Sequence, residues 1–127
     1  MGLILDTNAL TAIAEGDRGA VRRFASVGRV AIPVIVLGEY RFGISQSRHK
    51  PEYERWLAEM VSVSIVLEVH EETAIWYAEL RSRLKEAGTP IPSNDAWIAA
   101  LCRQHGLPIL SRDRHFDLIE GLDRIDW

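Results

Sequence analysis

The sequence holds one cysteine, Cys102, among 127 residues, so no internal disulfide can staple the fold. A lone thiol inside an apolar run fits a reducing compartment, and the expected location is the cytoplasm. Apolar residues never run uninterrupted for the roughly 18 to 20 positions that a membrane-spanning helix needs. The first residues, Met1-Gly2-Leu3-Ile4-Leu5, carry no basic segment and meet Asp6 at once, which argues against a secretory signal. Excess charge of either sign is missing too. The 15 Lys and Arg against 18 Asp and Glu give a net charge of −3, which alone argues neither for nor against a polyanionic partner. No repeat, low-complexity tract or Pro/Gly/Ser-rich linker divides the chain, so one domain is expected over residues 1–127. A Gly-rich phosphate loop followed by Lys and Ser or Thr is absent, which disfavours nucleoside triphosphate hydrolysis. His49, His70, His105 and His115 show no metal-ligand spacing and are expected at the surface or at helix caps.

What the chain does have is the balance of a globular protein, 47% hydrophobic and 26% charged, arranged as short apolar runs alternating with longer amphipathic stretches. Gly2–Leu5, Arg29–Ile32, Ser62–Val69 and Leu107–Ser111 read as strands, and Arg124–Trp127 as a short fifth one. Helices are predicted over Thr7–Glu15, Asp17–Val27, Val34–Gln46, Pro51–Met60, Glu71–Ala87 and Ser93–His105, with Gly16, Gly28, Gly88 and Gly106 as stops. Val34–Gln46 is apolar almost all round, the mark of a buried helix. Strands separated by helices imply a mostly parallel sheet of four to five strands covered on both faces, and ligands of such folds bind at the carboxyl ends of the strands.

Four acids stand where acids are costly or conspicuous. Asp6 ends the first strand, and its structural role would be to cap the helix that follows. Glu39 falls between Ile35, Val36 and Phe42 in the apolar helix, where a carboxylate is partly desolvated and must be paired or metal-bound. Arg41 and Arg48 are the nearby cations that would pair it. Asp95 sits in the first turn of the helix Ser93–His105, a position that the helix dipole favours by itself. Asp113 follows the strand Pro108–Ser111 on the same sheet edge as Asp6, and would otherwise be a turn residue. If the four converge, the physics demands a cation, because two like charges about 4 Å apart repel by roughly 4 kcal/mol at an effective dielectric of 20. Oxygen-only ligands favour Mg²⁺ or Mn²⁺ over zinc, and such ions hold phosphodiester oxygens and lower the pKa of a bound water.

Leu3-Ile4-Leu5-Asp6-Thr7-Asn8, Asp95-Ala96-Trp97-Ile98-Ala99-Ala100 and Leu110-Ser111-Arg112-Asp113-Arg114-His115-Phe116 resemble, in this order, the first-, third- and fourth-acid motifs of PIN domains. Glu39 stands where the second acid is expected. The resemblance covers essentially the whole chain, and a short single PIN domain looks most like the VapC-type toxins of bacterial toxin–antitoxin pairs. It implies a three-layer α/β/α fold and a metal-dependent ribonuclease, usually a homodimer, held inactive by a cognate antitoxin. It also implies that Asp6, Glu39, Asp95 and Asp113 are the catalytic acids, with Asp6, Asp95 and Asp113 on the metal. Asp117 is a second candidate for the fourth acid, since that position varies in the family.

Thr7, Asn8 and Ser111 are expected to hold these carboxylates, and Arg112 and Arg114, which flank Asp113, to meet substrate phosphates. Setting the four acids aside leaves fourteen against fifteen basic residues, consistent with an RNA substrate. Two other chemistries are disfavoured. A dehalogenase-type phosphatase needs a second Asp where Asn8 stands, and a receiver needs a late lysine, but the last one is Lys85. The non-enzyme alternative is a catalytically silent PIN-like scaffold that binds RNA or a protein.

Overall fold

A computed structural model describes residues 2–127, and its strands are short, two to five residues each. β1 (Gly2–Leu5), β2 (Arg29–Pro33), β3 (Ile65–Leu67), β4 (Ile109–Leu110) and β5 (Arg124–Ile125) form one sheet in the order β3-β2-β1-β4-β5. Every pairing is parallel. Parallel neighbours require crossovers, and helices supply most of them. α1 (Thr7–Ala14) and α2 (Arg18–Ala25) lead from β1 to β2, and α3 (Val34–Ile44) and α4 (Lys50–Ser62) from β2 to β3. α5 (Glu71–Glu86) and α6 (Ser93–His105) carry the chain back across the sheet to β4, and a 3₁₀ helix at Arg114–Leu118 leads into β5. This is the expected α/β architecture. The sheet therefore grows outward from β1 in one direction and then, after α6, in the other. Between β1 and β4 the order reverses, and the loops after these two strands part to leave a crevice.

The core explains why the crevice is rigid. Leu3, Ile4, Leu5, Ile109 and Leu110 of the two central strands are fully or almost fully buried. The charge-free run of α6 is buried as well, at Ala96 and from Ile98 to Cys102, so α6 is an interior helix with its first turn at the sheet edge. It ends at Gly106, whose φ of 64° is left-handed, a conformation that glycine adopts without a Cβ clash. Burial pushes the Cys102 thiol well above its ordinary range, so it stays protonated and inert. Among the described residues no helix is long and apolar enough to cross a membrane.

Several expectations need correction, and the strands expected over Leu107–Ser111 and Arg124–Trp127 are shorter, at Ile109–Leu110 and Arg124–Ile125. α3 is not buried all round: Val36, Tyr40 and Ile44 face inward, while Val34 is 43% and Phe42 82% exposed. Apolar residues are tolerated at surfaces, so composition alone did not reveal which face α3 turns to α1 and α6. The third strand contracts to Ile65–Leu67, because Ser62 ends α4 and the Ser64 hydroxyl donates to the Met60 carbonyl at 2.6 Å in a C-terminal turn. The 3₁₀ helix after Asp113 was not foreseen.

Phe116 anchors that 3₁₀ helix and is wholly buried. Phe116→Ala should lower stability by about 3 to 5 kcal/mol, the usual cost of emptying an aromatic core site. Thermal melting by circular dichroism checks this, and a loss below about 1 kcal/mol would show that the 3₁₀ helix is not held by this contact.

Candidate active site

The register of β1 and β4, Ile4 with Ile109 and Leu5 with Leu110, brings the residues after each strand side by side. The Asp6 backbone N–H donates to the Leu110 carbonyl at 3.2 Å. Asp6 is 5% exposed and Ser111 wholly buried. Ser111 Oγ donates to Asp6 Oδ2 at 2.7 Å and accepts from Asn8 Nδ2 at 3.2 Å and from the Asp113 backbone N–H at 2.9 Å. Its one donor and two acceptor positions are thus all used. Asp6 Oδ1 accepts from the Thr7 backbone N–H at 2.8 Å, and Asn8 Nδ2 also reaches Oδ2 at 3.2 Å. The helix-capping role expected for Asp6 is therefore real, and it occupies one oxygen while the other joins the network beneath the crevice.

The remaining acids come from three further elements. Asp113 caps the 3₁₀ helix by accepting from the His115 backbone N–H at 2.9 Å. Asp95, in the first turn of α6, meets His115 Nδ1 at 2.9 Å through its Oδ2, and the same nitrogen is 3.1 Å from Asp113 Oδ1. Glu39 projects from α3, half-buried. Its Oε1 accepts from Thr7 Oγ1 at 2.7 Å and its Oε2 from Asn94 Nδ2 at 3.1 Å. Among the described residues neither Arg41 nor Arg48 pairs with it. Asp6, Glu39, Asp95 and Asp113 line one open cleft of about 570 Å³, with Thr7, Asn8 and Arg112 in its walls.

The cleft is short of positive charge. Burial raises the Asp6 carboxyl above its ordinary value, against the Ser111 and Thr7 hydrogen bonds, and the charges of Asp113 and Glu39 add to the rise. Asp95 is pushed up to about 6, chiefly by burial; the His115 hydrogen bond opposes this, and Asp113 and Asp6 reinforce it. His115 moves up, first through its hydrogen bond to Asp95 and then through the charge of Asp113. Among the described residues, the basic side chain in contact with Asp95 and Asp113 is this half-exposed imidazole. Arg112 is committed elsewhere: its Nε pairs with Asp126 at 3.3 Å, its Nη2 donates to the Trp127 main-chain oxygen at 2.7 Å, and its guanidinium lies 4.5 Å from the Trp127 ring centroid.

Other positions fall as follows. Asp117 lies apart from the cluster, its two oxygens bound to Arg124 at 2.8 and 3.1 Å, and that guanidinium holds it below the usual carboxylate range. Asp113, not Asp117, is brought to the cleft. Arg114 is exposed on the 3₁₀ helix, outside the cleft wall. Two polar partners escaped the sequence. Asn94 is not singled out by the sequence and His115 is expected only at the surface or at a helix cap, yet both touch the acids. The one available signal for His115 was its position two residues after Asp113, a spacing that lets a capped carboxylate and the imidazole share a turn.

A parallel sheet with acids from β1, α3, α6 and the segment after β4 at its switch point defines a class, and the PIN domain family profile matches residues 3–122. The chain belongs to that family. Within it, the chain is similar to ribonuclease VapC4 of Mycobacterium tuberculosis, 31% identical over 96% of this chain and 94% of the relative. It is also similar to ribonuclease VapC5 of the same organism, 30% identical over 97% and 91%. Among solved structures, DNA-bound VapBC from Salmonella typhimurium has a chain that superposes with a TM-score of 0.88 at 27% identity, covering 100% of this chain and 98% of that one.

A raised carboxyl holds its proton more tightly in the folded chain than in the unfolded one. The stability contributed by Asp95 is therefore complete below its ordinary value of 3.8 and is lost as pH rises through about 6. In chelator, Asp95→Asn should melt like the wild type near pH 4 and above it at pH 7, by the equivalent of about 1 to 3 kcal/mol. An Asn variant that melts lower than wild type at pH 7 would mean that the helix dipole and the His115 pairing outweigh the cost of burying the charge beside its acidic neighbours.

Proposed function

We propose that the chain is a metal-dependent endoribonuclease and the toxin of a type II, VapBC-like toxin–antitoxin pair, acting as a single domain across residues 1–127 in the cytoplasm. The observation that carries this reading is the convergence of four carboxylates on one open cleft with too little positive charge to balance them. The names of the two mycobacterial relatives support RNA as the substrate, and the VapBC structure from Salmonella typhimurium supports an antitoxin as the partner.

The residues fit a divalent cation of the Mg²⁺ or Mn²⁺ type. The donors are carboxylate oxygens, and burial, reinforced by the neighbouring acids, raises the Asp6 and Asp95 carboxyls at the place where an ion would favour their charged forms. Asp6, Asp95 and Asp113 would hold the ion. When bound, it supplies a Lewis acid for phosphodiester oxygens and lowers the pKa of the attacking water.

The protein does the rest. Ser111 and Asn8 fix Asp6 Oδ2, so one carboxylate is locked before substrate arrives. Thr7 and Asn94 each take one oxygen of Glu39, which leaves lone pairs on both oxygens to orient the attacking water and accept its proton. Arg112, on leaving Asp126 and the Trp127 carbonyl, and exposed Arg114 beyond the cleft would meet the flanking phosphates, which positions the strand without reading its sequence. Exposed Phe42, Val63 and Ile75 provide apolar surface for a second copy of the chain and for the antitoxin.

Glu39→Gln keeps the side-chain volume and removes the charge that receives the proton. RNA cleavage in added Mg²⁺ or Mn²⁺ should fall at least about 100-fold, with melting near wild type and no cleavage by the wild type in chelator. An equally active Gln variant would remove Glu39 from the chemistry. Wild-type protein that cleaves no RNA with metal present would favour the silent scaffold.

A further inference from the structure

The proposed function draws on oxygen donors alone, yet the side chain that touches both Asp95 and Asp113 is an imidazole. We propose that His115 is a direct nitrogen ligand of the ion held by Asp95 and Asp113, so that the site is a mixed oxygen and nitrogen centre and favours Mn²⁺ and later first-row ions over Mg²⁺. The inference rests on the metal-dependent reading above.

Geometry carries it. An octahedral ion with ligands at about 2.1 Å has neighbouring ligand atoms about 3.0 Å apart. His115 Nδ1 lies 2.9 Å from Asp95 Oδ2 and 3.1 Å from Asp113 Oδ1, which is the spacing of adjacent vertices of one coordination shell. One ligand atom from each of the three residues lies within 4.8 Å of the other two.

The backbone also holds the imidazole in place. The His115 N–H is tied to Asp113 Oδ1 at 2.9 Å, and the next residue, Phe116, is wholly buried. The ring therefore rides on the same turn as one of its fellow ligands. Its side chain is 45% exposed, and Nδ1, the nitrogen near the backbone, is the one that faces the carboxylates. Nδ1 would give up its proton to an incoming ion and leave the ring protonated on Nε2, the tautomer that a ligating Nδ1 requires.

A neutral imidazole donor changes which ion the site prefers. Mg²⁺ is a hard ion best served by oxygen, whereas imidazole binds the transition series more strongly. The competing role for His115 is that of a counter-charge, expelled when the ion enters. The two roles differ in one observable, whether nitrogen is bonded to the ion.

The test is pulsed electron paramagnetic resonance on the full chain loaded with Mn²⁺, with ordinary protein and with protein carrying ¹⁵N-histidine. A directly bound imidazole gives a ¹⁴N modulation that changes on ¹⁵N-histidine labelling and disappears in His115→Ala. The same variant should lose at least about tenfold in Mn²⁺ affinity, the lower end of what metal sites lose even for outer-shell partners, and less in Mg²⁺ affinity. Bound Mn²⁺ without histidine nitrogen coupling in the wild type overturns the ligand role and leaves the carboxylate centre standing. Coupling that persists in His115→Ala also overturns it. Failure of the wild type to bind Mn²⁺ at all overturns the metal-dependent reading itself, and His115 with it.

Discussion

The hydrogen bond from Ser111 to Asp6 is the contact on which the rest of the site depends. It joins the ends of β1 and β4, the two strands between which the sheet order reverses, and it lies where both residues are buried. A charged carboxylate at 5% exposure needs strong donors to remain tolerable, and Asp6 has them in Ser111, the Thr7 backbone and Asn8. Ser111 and Asn8 also orient the next segment, through the Asp113 and Arg112 backbone N–H groups. One buried hydroxyl thus ties the first acid to the turn that presents the fourth.

Asp113, Asp95 and Glu39 then arrive from three directions, and the topology makes their meeting unavoidable. α6 must cross the sheet from β3 to β4, so its first turn opens at the same edge at which β1 ends. Burial and, after it, the charges of their neighbours raise the Asp6 and Asp95 carboxyls, and the His115 hydrogen bond opposes the rise at Asp95. A fold that keeps such a cluster in an open cleft is prepared for an incoming cation and for the phosphate groups that a cation attracts.

Much of this was legible in the sequence. The strand-end positions of Asp6 and Asp113 and the first-turn position of Asp95 follow from local patterns, because hydrophobic runs and glycine stops mark where elements end. Glu39 stood out for a reason that was only partly right. Its expected neighbour Phe42 is exposed, and its partners are Thr7 and Asn94, 32 and 55 residues away in sequence. The contact of His115 with Asp95 left no signal beyond the nearness of His115 to Asp113, because it spans 20 residues and depends on a 3₁₀ helix without periodicity. Long-range polar contacts leave no trace in periodicity. The apolar composition of α3 likewise hid which face it buries.

The central claim is that the carboxylates form one cation site and that Asp6 is part of it. Calorimetric titration of Mn²⁺ into the wild type and into Asp6→Asn tests it directly, because the amide preserves shape and removes one charge. The wild type should bind with measurable heat and the variant at least about tenfold more weakly, in line with the loss of a group close to a metal. Equal affinity in the two proteins would contradict the claim, for it would place the ion somewhere other than the cleft that β1 and β4 open.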